Sequence, residues 1–111
     1  MNIPPELTDL LSPENTQELM ELVQDGGHAY LILAHLESSE QLVSVFLDWV
    51  HDKGRVITNR TLIVDGQNWY ELLFVSKLEL NTVESDLNRI DAGQNLVRLI
   101  GQLGGGRILP P

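Results

Sequence analysis

Glu14, Glu18, Glu21 and Asp25 follow one another at spacings of four, three and four residues. On a helix, that spacing gathers them within about 60° of one face. Carboxylates one turn apart stand roughly 5–6 Å from each other, a separation at which such a row imitates the phosphates of a nucleic acid. No Lys or Arg in the segment offsets them. Like charges so placed cost a helix a few tenths of a kcal/mol per pair, about 1 kcal/mol for the set. The helix dipole favours Glu14 near the N-terminal end and disfavours Asp25 near the other. Two readings follow. The stripe is a surface that recognises a basic partner and steers its approach, or it is a solvated face that keeps an acidic chain dissolved.

Other chemistry is thinly represented. Asp48 and His51, with Asp52 beside them, stand three residues apart on the polar side of a second helix. A metal needs a third and a fourth ligand, which His28 or His35 from the strand before would have to supply. No spacing in the sequence fixes that geometry, and exposed helix residues are the better account, so no metal or other cofactor is expected. There is no cysteine to act as nucleophile or pair in a disulfide. A serine or threonine nucleophile would need one of three histidines, and no Gly-x-Ser-x-Gly elbow is present. Leu103-Gly-Gly-Gly-Arg107 is glycine-rich, but it closes an apolar segment, whereas a phosphate loop follows a strand and opens a helix. The expectation is a protein that is not an enzyme.

The whole chain extends the pattern set by the first helix. It has 111 residues and a net charge of −9, which disfavours direct nucleic-acid contact and an anionic membrane surface. Ten carboxylates, the stripe together with Glu6, Asp9, Glu37, Glu40, Asp48 and Asp52, precede Lys53, the first basic residue. From Lys53 onward, six acids accompany seven bases, so the two parts carry −10 and +1. The candidate partner-binding residues are therefore Glu14, Glu18, Glu21, Asp25, Glu40, Asp48 and Asp52. The N-terminal residues have neither the basic nor the apolar region of a secretory signal, and no apolar run approaches the roughly 20 residues of a membrane span. A soluble cytoplasmic chain is expected.

The elements that must position these residues read as a single acidic α+β domain over residues 1–111, with an irregular arm over 1–11. Ser12-Pro13-Glu14 is a helix start, with Ser as N-cap and Pro in the first turn, and Gly26-Gly27 is its stop. His28 to Leu36 is almost continuously apolar, as in a strand buried on both faces. Ser38 with Gln41 suggests a capping box for a helix running to Lys53-Gly54. In that helix Leu42, Val43, Val45, Phe46, Leu47, Trp49 and Val50 form one wide apolar arc. Arg55–Val64 and Asn68–Leu80 read as strands joined by a hairpin at Asp65-Gly66. Asn81 or Thr82 caps a helix through Ile90. The apolar phase then jumps, and Asp91 with Gln94 predicts a second cap and a last helix ending at Gly104. A tail follows over 104–111. The order is α-β-α-β-β-α-α, in a small two-layer fold.

Strand alternation raises a second function class. If Tyr70, Leu72 and Phe74 face the core, then Trp69, Leu73 and Val75 line the opposite face, which is either covered by a helix or an interface. Ile108 and Leu109 in the tail are further apolar contacts. Two functions remain in view. One is a binding module whose acidic half engages a basic protein in an inhibitor, immunity or chaperone-like role. The other is a structural or regulatory adaptor, a homodimer held through the apolar sheet face and tail.

Overall fold

The structure is a computed structural model; it describes residues 11–35, 40–104 and 107–109, with side chains as far as Gln102. The elements are α1 (Pro13–Gln24), β1 (His28–Ala34), α2 (Glu40–Lys53), β2 (Gly54–Val64), β3 (Gln67–Ser76), α3 (Leu80–Asp91), β4 (Val97–Gly104) and a three-residue β5 (Arg107–Leu109). Residues 1–10 of the expected arm over 1–11, with Ser38, Gly105-Gly106 and the final prolines, lie outside the described residues.

The local signals act as their chemistry requires. Ser12 caps α1, its Oγ accepting from the Asn15 N–H at 3.1 Å, and Gly26 ends the helix at φ 95°. The β2–β3 turn is Asp65-Gly66, with φ of 52° and 77°, the two positive values a type I′ turn demands. No loop separates α2 from β2. At this corner a Cβ on Gly54 would sit 2.1 Å from the Val75 carbonyl oxygen, so only glycine fits. Ser76 fastens the same corner, donating to the Lys53 carbonyl at 2.6 Å and accepting from the Leu78 N–H at 3.0 Å.

Four antiparallel strands form the sheet in the order β2-β3-β1-β4, and β5 extends the β4 edge. From β1 to β4 the chain therefore runs β-α-β-β-α-β with β3 inserted between β1 and β2. This is the split β-α-β, or ferredoxin-like, arrangement. It supports many unrelated functions and assigns none.

Alternation along β1 and β3 sends the apolar side chains to two faces. Tyr30, Ile32, Ala34, Leu72 and Phe74 meet α2 and α3 through Leu42, Phe46, Trp49, Val50, Val83 and Leu87, making the larger core. Ala29, Leu73 and Val75, with Ile57, meet α1 through Leu19 in a smaller one. The two-layer body is thus the sheet with α2 and α3, and α1 covers one end of the opposite face. Within the larger core, Trp49 Nε1–H donates to Asp86 Oδ2 at 2.8 Å, tying α2 to α3. The Tyr30 hydroxyl donates to the Leu78 carbonyl.

The C-terminal region departs from the sequence-based expectation. Residues 97–104 form strand β4 rather than a helix, and they pair with β1 over its length. Asp91 does not cap a new helix. Its carboxylate ends α3 and gathers the N–H groups of Asn95, Leu96 and Val97 at 2.9, 2.6 and 2.8 Å. α3 itself starts one residue before the expected caps, at Leu80, with Glu79 in the N-cap position and no side-chain cap bond.

Candidate partner-binding surface

The acidic stripe of α1 forms as the spacing predicts, but it does not stand alone. Arg55 on β2 reaches Glu18 at 2.8 Å, and Lys77, just past β3, reaches Asp25 at 3.6 Å. Gln17 donates to Glu21 at 3.2 Å. The cations absent from the first part of the sequence are thus returned to α1 by the fold. Two of its four carboxylates are paired, and Glu14 and Glu21 remain exposed with no cation partner among the described residues. These are solvent-exposed contacts of modest strength. Their main effect is on charge distribution: among the described residues, the side of the sheet bearing α1 sets Glu14, Glu18, Glu21, Asp25 and Glu71 against Arg55, Arg60, Lys77 and Arg98 and comes close to neutrality.

The other three candidate residues, Glu40, Asp48 and Asp52, lie on α2, and α2 packs on the opposite face of the sheet from α1. The seven carboxylates therefore form two surfaces. The second is enlarged by α3. Together α2, α3 and the residue that precedes α3 carry Glu40, Asp48, Asp52, Glu79, Glu84, Asp86 and Asp91, against Lys53 and Arg89. Lys53 pairs with Asp52 at 3.0 Å, and Arg89 with Asp86 at 3.2 Å. Asp91 is buried and committed to backbone N–H groups. Glu40, Asp48, Glu79 and Glu84 are exposed, and among the described residues no cation pairs with them.

The same layer holds apolar surface. A groove of about 340 Å³ runs between α2 and α3, lined by Leu42, Val45, Ile90 and Ala92 together with the polar Gln41, Arg89 and Gln94. Val45 is 48% exposed and Leu47 is 36% exposed. Both belong to the wide apolar arc of this helix, yet α2 buries only Leu42, Phe46, Trp49 and Val50. Seven apolar residues in one helix exceed what a single sheet face covers; that excess was the sequence signal for this surface. Glu79 and Glu84 had no such signal, because the bases that follow Lys53 in the sequence obscured them.

The residues of the expected sheet-face interface are occupied inside the molecule. Leu73 and Val75 lie buried beneath α1. Trp69 is 6% exposed, between the His35 ring at 5.0 Å and the Arg98 guanidinium 5.2 Å above its own ring. The face is thus covered by a helix and by the chain's own side chains, the other branch of the sequence alternative. Beside it, Arg60 pairs with the buried Glu71 at 3.0 Å. For Ile108 and Leu109 the described backbone pairs with β4. His28 and His35 lie at opposite ends of β1, about 23 Å apart at strand rise, and neither stands with Asp48 and His51 of α2. Among the described residues, no group of three His, Asp or Glu side chains is arranged to hold a metal ion. No described helix is long and apolar enough to cross a membrane.

Two ionisable groups are set by burial and hydrogen bonding. Burial pushes the Tyr30 hydroxyl up to about 12, helped by the negative charge of Glu79. For Asp91, burial acts to raise the carboxyl. The N–H groups of Val97, Leu96 and Asn95, with the positive charge of Arg98, outweigh it and hold the group below its ordinary value. Both groups serve the fold, and neither opens onto the α2–α3 groove.

Compared with known protein families, curated proteins and solved structures, the chain matches none.

Proposed function

We propose that this chain is a non-enzymatic protein-binding module that engages a basic partner through the acidic layer formed by α2 and α3. The observation carrying this reading is the coincidence of two features on one layer. Glu40, Asp48, Glu79 and Glu84 are exposed without a cation among the described residues, and a groove whose lining includes Leu42, Val45, Ile90 and Ala92 lies between the same helices. Carboxylates steer a cationic partner and set its orientation. The groove supplies the desolvated contact from which most affinity comes. The partner that fits is a protein segment carrying Lys or Arg around one or two apolar anchors, such as a basic amphipathic helix. An inhibitor, immunity or chaperone-like role would use such a surface, and the cysteine-free composition suits a cytoplasmic setting. The adaptor reading is weaker, because α1 already occupies the sheet-face residues on which it depended.

Capture of host proteins on the immobilised chain tests the proposal. A basic protein should be retained at low salt and released at moderate salt. The double variant Glu40→Lys, Asp48→Lys should retain at least about tenfold less, while Glu14→Lys, Glu21→Lys on α1 should retain nearly as much as the parent. Salt-insensitive capture, or equal losses from the two double variants, would overturn the assignment to this layer.

A further inference from the structure

Among the described residues, the sheet has one long open edge. β2 runs for 11 residues and borders β3 on one side only. Near its start it lies close to both α1 and α2, and Ile57 is buried in the smaller core. A register shift between Val56 and Thr58 interrupts the pairing there. Beyond the shift the strand leaves the helices and projects to the Asp65-Gly66 tip, where Ile63 is 75% exposed and Val64 37% exposed.

The tight turn settles which backbone groups are free. In a two-residue hairpin the flanking pair, Val64 and Gln67, exchanges both hydrogen bonds, and alternation then sends Leu62 and Arg60 inward to β3. The N–H and C=O groups of Asn59, Thr61 and Ile63 therefore point away from the sheet. Such an edge is a template for another strand. Its composition selects the occupant. In a chain of charge −9, β2 contains no carboxylate, and its two cations, Arg55 and Arg60, are already matched within the chain by Glu18 and Glu71. Two copies can meet here without opposing like charges.

We propose that β2 pairs antiparallel with β2 of a second copy, about a two-fold axis through Thr61, to give one continuous sheet across a dimer. This register sets Thr61 opposite Thr61, Ile63 opposite Asn59, Leu62 opposite Arg60 and Val64 opposite Thr58. It forms about six backbone hydrogen bonds. An axis through Arg60 would oppose the two arginines, and one through Asn59 would run the pairing into the shift at Val56–Thr58. The dimer uses a surface distinct from the α2–α3 layer, so it stands or falls independently of the proposed partner.

Sedimentation equilibrium of the purified chain should find a species of about 25 kDa, twice the 12.4 kDa monomer, that shifts to monomer in Ile63→Lys and in Thr61→Pro. The proline removes an N–H that points away from β3 and has no partner among the described residues. Circular dichroism checks that each variant is folded, and Ile63→Lys, at an exposed site, carries the test if Thr61→Pro does not fold. The absence of cysteine permits a register test as well. Opposed residues of a hydrogen-bonded pair lie about 5.5 Å apart at Cα, within disulfide reach. Thr61→Cys should therefore oxidise to a covalent dimer and Asn59→Cys should not. A monomer at all concentrations, a dimer undisturbed by folded Ile63→Lys, or equal cross-linking at the two cysteine sites would overturn the proposal.

Discussion

At Asp91 one carboxylate replaces a missing turn of secondary structure. α3 ends there, and the chain must reverse through Ala92, Gly93 and Asn95, all at positive φ, before β4 begins. The N–H groups of Asn95, Leu96 and Val97 would otherwise be left unmatched, two of them partly or wholly buried. Asp91→Ala should cost about 2–3 kcal/mol in denaturant unfolding. Asp91→Asn should cost less, since it keeps an acceptor for Leu96 and Val97 and loses the one facing Asn95. The acid limb gives a second check. With the folded carboxyl below its ordinary 3.8, the stabilisation is complete above that value and is lost as pH falls through the folded one. The stability of Asp91→Asn should therefore fall less steeply than that of the parent below about pH 4. Tyr30 behaves oppositely. Its folded hydroxyl is raised from 10.0 to about 12, so its contribution is complete below pH 10 and is lost as pH rises toward 12. Tyr30→Phe should flatten that alkaline loss and cost about 1 kcal/mol at neutral pH through the unmatched Leu78 carbonyl.

Elements differ in how much of them the sequence disclosed, and the differences have physical causes. Ser12-Pro13, Gly26 and Asp65-Gly66 act through short-range geometry, so α1, β2 and the turn were legible almost to the residue, whereas β3 ends at Ser76, four residues short of the expected Leu80. β4 was not. Leu96, Leu99, Ile100 and Leu103 repeat at helical spacing, while the strand pairs Val97, Arg98 and Leu99 with β1 in simple alternation until a register shift between Leu31 and Ile32. That irregularity breaks the two-residue period at Ile100, leaving a sequence in which the 3.6-residue period looks stronger than the true one. Tertiary pairing decided the outcome. The α2–β2 junction is the most demanding of the element boundaries, since Gly54 abuts the Val75 carbonyl. Gly54→Ala must displace backbone, and a loss of about 3 kcal/mol or failure to accumulate folded protein is the expected result, measured by thermal unfolding.

For the whole molecule, chain order misplaced the charge. The split between an acidic first part and a balanced second part is real in the sequence, yet Arg55 and Lys77 return to α1 while α3 adds its acids to those of α2. The candidate site was legible in part. The identity of Glu40, Asp48 and Asp52 could be read directly, but their separation from α1 by the thickness of a sheet could not, because it depends on which face each helix chooses. The two cores those faces create are unequal. α1 is held by the smaller one, centred on the fully buried Leu19, and by surface ion pairs. That inequality implies two tiers of opening. In native-state hydrogen exchange the amides of α1 should report a sub-global opening of lower free energy than the amides of β1 and β3. Leu19→Ala should lower the protection of α1 first and leave that of the central strands largely intact. A molecule built this way can detach one helix and keep its sheet, giving it a partly open form within thermal reach.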